Sequence, residues 1–294
     1  MEAKYLTPAV TAFDKDGNLD YESLKNLYDY IIKGGVDGIL VLGSIGEFFS
    51  IPKEIKKALI HSAVNYINKR TEVIIGTTSI DINETIELSK YALNEGADAV
   101  IVVPPYYFTL TDESIYEYFD KIAASINGNM YLYNFPDRTG YSISPDTILN
   151  LVRKHKNIIG CKDTLGGMDH TREVIKKVKP YFPNFRIYSG FDDNFAHNVL
   201  SGGNGCIAGL SNLVPELTSE WTKAFKNNNL NKVSEISKKI DKLMDIYGVG
   251  QPFITYIKKA LVLKGIIKYD TVTFPLPSVS KEQEDKLKQI MMEL

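Results

Sequence analysis

Lys162 is the residue whose type and position most directly predict chemistry. It ends the apolar run Ile158–Lys162, where the alternation of side chains along a β-strand places it on the same face as Gly160. If this face is the interior of a barrel, burial disfavours the charged form of the amine. A neutral amine can attack a ketone and form a Schiff base. The alternative interpretation, from position alone, is a lysine at a strand end that reaches solvent.

Tyr133 precedes Lys162 by one strand–helix unit, so we expect it on the neighbouring strand. A phenol close to a developing amine or alkoxide can relay a proton. The alternative is an aromatic core residue whose hydroxyl is satisfied locally. The sequence has four histidines, all in predicted helical segments: His61, His155, His170 and His197. A tyrosine is therefore the better predicted proton carrier.

Two loops carry polar groups that could bind a substrate. The turn Gly43–Glu47 follows a predicted strand and leads into a helix start, so its N–H groups and the Ser44 hydroxyl could bind a carboxylate. The alternative is a turn that needs glycine only for its backbone angles. Asp192 and Asp193 follow another predicted strand, and they could bind sugar hydroxyls or cap the next helix.

Eight short apolar runs with strand character alternate with amphipathic helical patterns and frame these residues. The predicted strands are Leu6–Val10, Gly38–Leu42, Glu72–Gly76, Ala99–Val103, Met130–Tyr133, Ile158–Lys162, Phe185–Tyr188 and Gly205–Gly209. The predicted helices between them are Asp20–Lys33, Lys53–Asn68, Asn83–Asn94, Asp112–Ser125, Pro145–His155 and Met168–Lys179. Crossovers of this length imply parallel pairing, so the sequence predicts an α/β fold, a (β/α)8 TIM barrel. An open doubly wound sheet is the alternative, although no GxGxxG follows the first strand.

After about residue 212 the strand pattern stops and only helical patterns follow. They are Leu213–Lys226, Asn231–Tyr247, Pro252–Leu263 and Lys281–Leu294. The first of these would close the barrel, and the others would form a C-terminal helical extension. We therefore predict a catalytic barrel domain over residues 1–226 and a helical appendix over residues 227–294.

Composition excludes several classes of function. The chain of 294 residues has 34 Lys and Arg against 36 Asp and Glu, which gives no basic footprint for nucleic acid or for an anionic membrane surface. No apolar run is long enough to span a bilayer and no secretory signal begins the chain, so we expect a cytoplasmic protein. Cys161 and Cys206 lie in apolar runs and are predicted to be buried, reduced thiols. No HxxxH or CxxC spacing predicts a metal site.

Three motifs occur together in the order and spacing of a known family: Gly43–Glu47, Tyr133–Pro136 and Gly160–Thr164. Over nearly the whole chain, the sequence resembles the pyruvate-dependent class I aldolases. This family includes dihydrodipicolinate synthase, N-acetylneuraminate lyase and the 2-keto-3-deoxy sugar-acid aldolases. The resemblance implies a barrel enzyme that is a homotetramer, built as a dimer of dimers. It also implies a small keto acid and an aldehyde as substrates, and no metal or other cofactor.

The resemblance implies roles for particular residues. Lys162 would be the Schiff-base lysine, Tyr133 the proton relay, and Tyr107 a tyrosine that reaches across a dimer interface to complete the relay. The turn residues Ser44 and Ile45 would bind the substrate carboxylate. The other substrate-binding positions that the resemblance implies are Arg138, Thr164, Gly190, Asp192, Asp193 and Ile207.

A few residues that depart from the patterns of individual branches indicate the branch of the family to which this sequence belongs. Ile45 stands where the synthases carry a second threonine, and Gly209 stands where the sialic acid lyases carry a serine. Arg138 instead matches the synthases, in which an arginine binds the carboxylate of the second substrate. In an aldolase, we expect Arg138 to organise its own loop or to pair with Asp192 or Asp193.

We therefore predict an aldolase that cleaves a 2-keto-3-deoxy sugar acid into pyruvate and an aldehyde. The main alternative is 4-hydroxy-tetrahydrodipicolinate (dihydrodipicolinate) synthase, which condenses pyruvate with aspartate semialdehyde. N-acetylneuraminate lyase and a non-catalytic sensor that binds a keto acid are further alternatives, because one barrel fold serves many functions.

Overall fold

The computed structural model describes residues 1–292, in which eight strands alternate with helices before a helical C-terminal region. The strands are β1 (Lys4–Pro8), β2 (Gly38–Val41), β3 (Glu72–Gly76), β4 (Ala99–Val102), β5 (Met130–Asn134), β6 (Ile158–Asp163), β7 (Arg186–Ser189) and β8 (Gly205–Ile207). The α-helices are α1 (Tyr21–Lys33), α2 (Lys53–Ile67), α3 (Ile82–Glu95), α4 (Asp112–Ser125), α5 (Pro136–Thr139), α6 (Pro145–Lys154), α7 (Asp169–Val178), α8 (Phe195–Leu200), α9 (Pro215–Lys226), α10 (Leu230–Leu243), α11 (Ile254–Leu263) and α12 (Lys281–Met291). Short 3₁₀ helices cover Asp192–Asn194, Gly209–Asn212 and Met244–Gly248.

The eight strands form a closed parallel barrel in chain order. Their residues are almost all buried, as expected for strands that are covered on both faces. The predicted (β/α)8 barrel is confirmed, and the alternative of an open doubly wound sheet is wrong. Reactive groups in this fold gather where the strands reach their C-terminal ends.

The helices form where capping and periodicity predict them. Asp20 caps α1 by accepting a hydrogen bond from the Ser23 N–H at 3.1 Å, and the helix buries Leu24, Leu27 and Ile31 on one face. At α6, Ser144 caps the helix and proline occupies its first position. Within residues 1–292, none of the helices combines the length and the apolar character needed to cross a bilayer.

Several predicted boundaries differ from the structure. β8 ends at Ile207 rather than Gly209, because the chain turns into the 3₁₀ helix Gly209–Asn212. The helix predicted from Leu213 begins at Pro215, a residue whose fixed φ suits the first turn. The predicted helix Asn231–Tyr247 ends at Leu243, and a 3₁₀ helix follows it. The end of the predicted helix Lys281–Leu294 lies outside the described residues.

The chain divides into two compact units. The first contains residues 3–73 and the chain from Ala208 onward, and the second contains Ile74–Ile207. In the first unit β1 pairs with β2, and α9 to α12 belong to this unit. In the second unit a continuous parallel ladder runs from β3 to β8. The boundary that we place at residue 226, between barrel and appendix, stays a prediction.

Candidate active site

Lys162 and Tyr133 lie side by side at the ends of two neighbouring strands. β5 pairs with β6 so that Tyr133 is opposite Lys162. Lys162 Nζ donates a hydrogen bond to the Tyr133 hydroxyl at 3.2 Å and lies 4.4 Å from the centre of the Tyr133 ring. Only 4% of Lys162 and 3% of Tyr133 are exposed, so the interpretation of Lys162 as a lysine that reaches solvent is wrong. The structure holds an amine and a phenol together in a buried setting.

The strand residues that precede Tyr133 and Lys162 on the same faces are tightly packed against each other. Tyr131 is opposite Gly160, two residues before the reacting pair on each strand. A Cβ atom on Gly160 would lie 2.6 Å from the Tyr131 ring, so only glycine leaves room for the ring. The Tyr131 hydroxyl accepts a hydrogen bond from Arg186 Nη1 at 2.8 Å. This packing shows that Gly160 faces the aromatic residues of the neighbouring strand, as the alternation of β6 predicts.

Thr164 and Gly190 are in direct contact at the ends of β6 and β7. The Gly190 N–H donates to the carbonyl of Asp163 at 2.9 Å, and a Cβ atom on Gly190 would collide with the Thr164 hydroxyl. Thr164 is buried, and within residues 1–292 its hydroxyl oxygen has no hydrogen-bond partner. A buried hydroxyl without a partner is costly, so this group is suited to a hydrogen bond with a bound molecule.

Asp192 and Asp193 lie in the 3₁₀ helix that follows β7. Asp192 is buried and Asp193 is exposed. The residues at the cap positions of the two helix starts are Phe191 and Asn194, and within residues 1–292 neither makes a capping side-chain hydrogen bond. Hydroxyl binding and helix capping both stay predictions for the acidic pair.

Arg138 lies in α5, directly after β5, and its side chain is exposed. Its guanidinium carbon lies 5.5 Å from the centre of the Phe135 ring, the geometry of a cation–π contact. Within residues 1–292 the guanidinium forms no ion pair, so the expected pairing of Arg138 with Asp192 or Asp193 is absent. The loop is organised instead by Thr139, whose hydroxyl donates to the Tyr141 carbonyl at 2.7 Å.

Tyr107 lies in the loop that follows β4 and is 90% exposed. Its φ of 128° is unfavourable for a residue with a side chain, and its ring packs edge-on against Phe108 with ring centres 5.0 Å apart. The same loop is held at Pro105, whose carbonyl accepts a hydrogen bond from the Tyr141 hydroxyl. Burial raises the pKa of Tyr141 to about 12, so this hydroxyl keeps its proton at neutral pH.

The turn Gly43–Glu47 belongs to the first compact unit. Its tight geometry comes from the hydrogen bond of the Glu47 N–H to the Ser44 carbonyl at 3.1 Å, and the N–H of Ile45 is not among the donors of this turn. The turn does not lead directly into a helix, because α2 begins only at Lys53. The predicted helix start at this turn is therefore wrong, and the Ile45 N–H is the backbone donor of the predicted anion site.

Glu47 and Lys258 form a fully buried ion pair that anchors this turn. Lys258 Nζ contacts Glu47 Oε1, and both side chains are completely buried. Glu47 Oε2 accepts hydrogen bonds from the Thr273 N–H at 2.7 Å and from its hydroxyl at 2.8 Å. Lys258 Nζ also donates to the Thr271 carbonyl at 2.7 Å. Burial lowers the pKa of Lys258, and the negative charge of Glu47 opposes this effect.

Sequence reasoning missed Glu47 and Lys258. One signal was present, because Lys258 lies four residues after Ile254 and three before Leu261, within the buried stripe of α11.

Sequence reasoning also set aside the histidines. His170 lies in α7 and contacts Asp163, the residue after Lys162, at 2.9 Å. His155 follows α6 rather than lying in a helix, which corrects its predicted place.

The remaining candidate positions are small or apolar. Ile207 ends β8 and is fully buried. A Cβ atom on Gly209 would lie 2.6 Å from the Tyr247 hydroxyl and 2.7 Å from a methyl carbon of Ile45, so a larger residue does not fit there without a shift. Cys161 and Cys206 are buried free thiols, as predicted, and burial raises the pKa of Cys161. Within residues 1–292, no group of three His, Cys, Asp or Glu side chains is arranged to hold a metal ion.

A closed (β/α)8 barrel with a buried lysine at the end of a strand is the architecture of a class I lyase, which forms a Schiff base with its substrate. The comparison with known proteins gives the family. Residues 1–294 match the Dihydrodipicolinate synthetase family, and the chain belongs to this family.

Individual relatives come from more than one branch of this family. YagE of Escherichia coli K12, which carries the name of a 2-dehydro-3-deoxy-D-gluconate aldolase, is 34% identical over 98% of this chain and 96% of its own length. The 4-hydroxy-tetrahydrodipicolinate synthase of Kosmotoga olearia is 36% identical over 97% of this chain and 95% of its own. The crystal structure of YagE in complex with pyruvate matches with a TM-score of 0.96 and 33% identity, over 99% of this chain and 98% of that chain.

Proposed function

We propose that this protein is a pyruvate-dependent aldolase that cleaves a 2-keto-3-deoxy sugar acid into pyruvate and an aldehyde. The observation that carries the proposal is the hydrogen bond of 3.2 Å between Lys162 Nζ and the Tyr133 hydroxyl inside the barrel. The similarity to YagE, which is named as a sugar-acid aldolase and binds pyruvate in its crystal structure, supports the branch.

Lys162 carries the covalent chemistry in this proposal. Its uncharged amine attacks the C2 carbonyl of the keto acid and gives a carbinolamine. The Tyr133 phenol donates its proton to the departing hydroxyl, so that water leaves and an iminium ion remains. The phenolate formed in this step takes the proton of the C4 hydroxyl, the C3–C4 bond breaks, and the electron pair of that bond moves into the iminium to give an enamine. The aldehyde then leaves. Protonation of the enamine at C3 and hydrolysis of the imine release pyruvate and restore the amine.

Other residues bind the two ends of the substrate. The Ser44 hydroxyl and the Ile45 N–H bind a carboxylate, because both are hydrogen-bond donors and the one acidic side chain of the turn, Glu47, is buried against Lys258. Asp192, Asp193 and the buried Thr164 hydroxyl, which has no partner in the described part of the chain, bind hydroxyl groups of the sugar chain. Gly190 and Ile207 provide room and an apolar wall.

Borohydride trapping tests the covalent step. Incubation with pyruvate and sodium borohydride should add one reduced pyruvyl group, and peptide mass spectrometry should find it on Lys162. The Lys162→Ala variant is the control and should carry no adduct. Absence of an adduct in the natural sequence, or its survival in Lys162→Ala, would falsify the Schiff-base mechanism.

A second candidate is 4-hydroxy-tetrahydrodipicolinate synthase, and one observation favours it. Arg138 is exposed beside the reacting strand and makes no ion pair within residues 1–292, so its guanidinium is available for a carboxylate of a second substrate. Aspartate semialdehyde offers such a carboxylate, whereas glyceraldehyde does not.

Turnover by purified protein separates the two candidates. The panel is a set of keto-deoxy sugar acids, sialic acid, and pyruvate with aspartate semialdehyde, each assayed with the natural sequence and with Arg138→Ala. An aldolase cleaves the sugar acids in both forms at similar rates. Efficient condensation of aspartate semialdehyde that is lost in Arg138→Ala would establish the synthase instead. Binding of pyruvate without turnover of any member would favour a sensor.

The proposal also covers the oligomeric state of the protein, its cellular location and its need for cofactors. We propose a homotetramer, made as a dimer of dimers, in which the exposed Tyr107 reaches a second copy and completes its proton relay. We further propose that the enzyme works in the cytoplasm and uses no metal or other cofactor, since the lysine imine itself accepts the electron pair. Light scattering of the purified protein checks the tetramer, and activity after treatment with EDTA checks the metal.

A further inference from the structure

The strand residues that follow the reacting pair form a polar cluster of their own. Asn134 follows Tyr133, Asp163 follows Lys162, and the two are opposite each other in the β5–β6 ladder. Because successive side chains of a strand alternate between faces, this second pair lies on the face opposite the amine and the phenol. Asn134 Nδ2 donates to Asp163 Oδ1 at 2.8 Å, and both residues are buried.

His170 closes this cluster into a network that spans β5, β6 and the loop before α6. Its Nδ1 lies 2.9 Å from Asp163 Oδ2, and its Nε2 lies 2.9 Å from the carbonyl of Ile143. Asn134 Oδ1 accepts the N–H of the same Ile143 at 2.9 Å. Thr171 supplies a further donor to Asp163 Oδ2 at 2.6 Å. We define Asn134, Asp163, His170 and Thr171 as the strand-end cluster.

The partners of His170 determine its protonation. A backbone carbonyl can only accept a hydrogen bond, and an ionised carboxylate can only accept as well. Asp163 accepts hydrogen bonds from Asn134 and Thr171 on the two oxygens that also face His170. Both ring nitrogens of His170 therefore face oxygen atoms, and this arrangement favours the doubly protonated imidazolium ring.

The charges around His170 agree with this assignment. Burial by itself would lower the pKa of His170, but its hydrogen bond to Asp163, the negative charge of that carboxylate and the Ile143 carbonyl together raise the pKa. Asp163 faces the ring from β6, the Ile143 carbonyl faces it from the loop before α6, and Thr171 is its neighbour on α7.

We propose that protonated His170 is a positioning residue that keeps Lys162 and Tyr133 aligned for imine chemistry. By holding Asp163 and the Ile143 carbonyl at once, it fixes the ends of β5 and β6 against each other through the strand-end cluster. The 3.2 Å separation of Lys162 Nζ and the Tyr133 hydroxyl depends on that alignment. This inference rests on the proposed Schiff-base function. It adds to that function a protonated residue that does not itself contact the substrate.

Deprotonation should weaken the cluster at one definite contact. When the imidazolium loses a proton, one ring nitrogen presents a lone pair to an oxygen that is itself an acceptor. That contact becomes repulsive in a buried setting, so the ring shifts and the two strand ends lose their common anchor. Small displacements of reacting groups are expensive, and a 1 Å error can cost on the order of 100-fold in rate.

The first measurement detects the protonation state of the His170 ring directly. Nitrogen-15 NMR of the natural protein with labelled histidine, assigned by comparison with His170→Gln, should show two protonated ring nitrogens for His170 at neutral pH. This readout needs neither pyruvate nor turnover. A neutral ring with one unprotonated nitrogen at pH 7 overturns the proposal, whether or not the protein forms an imine.

The second measurement reads the effect on the reaction. His170→Gln should lower kcat for keto acid cleavage and the rate of borohydride trapping by about 10- to 100-fold, while KM changes little. In the natural sequence we expect the trapping rate to fall as pH rises through the pKa of His170, and His170→Gln should remove this fall. The matched control is His155→Gln, which removes another partly buried His–Asp contact, to Asp120 at 2.7 Å, near the opposite end of β6. It should retain the kcat of the natural sequence.

The outcomes separate this inference from the proposed function. A natural protein that forms no adduct with pyruvate contradicts the Schiff-base function, and NMR alone then decides the state of His170. An adduct that forms at the same rate and with the same pH dependence in His170→Gln contradicts the positioning role while the Schiff-base function stands. Equal losses of kcat in His170→Gln and His155→Gln would also overturn it, because a general loss of stability would then explain both.

Discussion

The ends of β5 and β6 and the turn Gly43–Glu47 both present polar groups beyond the end of a strand, but different kinds of contact hold them. At the strand ends, Tyr133 and Lys162 are neighbours in one ladder, and the residues of the strand-end cluster lie no more than nine positions from one or the other. The turn is held by Glu47, whose partners lie more than 200 positions away in sequence. The strand-end contacts therefore join residues of two adjacent strand–helix units, whereas the turn is held by residues from the C-terminal part of the chain.

The two regions also differ in the energetics of their buried charge. The strand-end cluster shares its charge among several hydrogen bonds, so the loss of one donor leaves others in place. In the turn, a single lysine neutralises Glu47 at a site without exposure to water. Removal of one member of such a pair leaves an uncompensated charge in the interior. We therefore expect changes at the strand ends to affect rate, and changes at the turn to affect stability and substrate affinity.

Apart from variants of Lys162 itself, Tyr133→Phe is expected to lower the rate most. This change keeps the ring over Lys162 and deletes only the hydroxyl that relays the proton. General acid–base groups contribute about 10²- to 10⁴-fold, so kcat should fall by that factor while the free energy of unfolding stays nearly constant. Steady-state kinetics and urea unfolding measure the two quantities.

Tyr131→Phe is the matched control, since its hydroxyl is two residues earlier on the same strand and bonds to Arg186. It should keep kcat close to that of the natural sequence. A loss of rate as large in Tyr131→Phe as in Tyr133→Phe would show that strand packing, and not proton transfer, is what the phenol provides.

Lys258→Met tests the turn and should have the largest effect on stability. It leaves Glu47 buried without a cation, which costs about 3–5 kcal/mol of the free energy of unfolding. The double variant Glu47→Gln, Lys258→Met removes both charges and should recover much of that loss. Urea unfolding of the single and double variants measures the difference. A single variant within about 1 kcal/mol of the natural sequence would contradict the anchoring role of this pair.

The strand ends could be predicted from the sequence because their geometry repeats. Alternation along Ile158–Lys162 placed Lys162 on the face of Gly160, and the length of one strand–helix unit placed Tyr133 on the next strand. Both relations depend only on the regular spacing of backbone positions. The same regularity predicted eight strands, and the errors in them lie at strand ends, where local hydrogen bonds and turns decide the last residue. The short helices α5 and α8 had no counterpart among the predicted helices.

The anchors could not be predicted because they depend on side chains that meet only after folding. Nothing near Glu47 in the sequence indicates Lys258 or Thr273, and the loop length between them leaves their distance open. His170 was set aside because it lies on a helix, yet its first-turn position on α7 brings it to Asp163. A helix position excludes a side chain from the barrel interior, but it does not exclude it from a network behind the reacting residues.

Ser44→Ala removes a proposed binding group of the turn and leaves the buried Glu47–Lys258 pair intact. If Ser44 donates to the substrate carboxylate, loss of a hydrogen bond to a charged group costs about 1.5–3 kcal/mol. KM for the keto acid should rise by roughly 10- to 100-fold, with a much smaller change in kcat and in stability. Initial rates over a range of keto acid concentrations measure both constants. A fall in kcat at constant KM would place Ser44 in the chemical step instead.

The smallest effect is expected in the pH dependence of stability at the strand ends. The pKa of His170 is raised in the folded protein, so its contribution is fully present below the ordinary histidine pKa of about 6.5 and is lost as pH rises through the raised value. Over that window the free energy of unfolding should fall by about 1–2 kcal/mol more in the natural sequence than in His170→Gln, on the scale of one charge-assisted hydrogen bond. Urea unfolding from pH 5.5 upward, in steps of about half a unit, measures the two curves. Parallel curves would mean that protonation of His170 beside Asp163 does not contribute to the free energy of unfolding. The two regions would then not differ in the pH dependence of their stability.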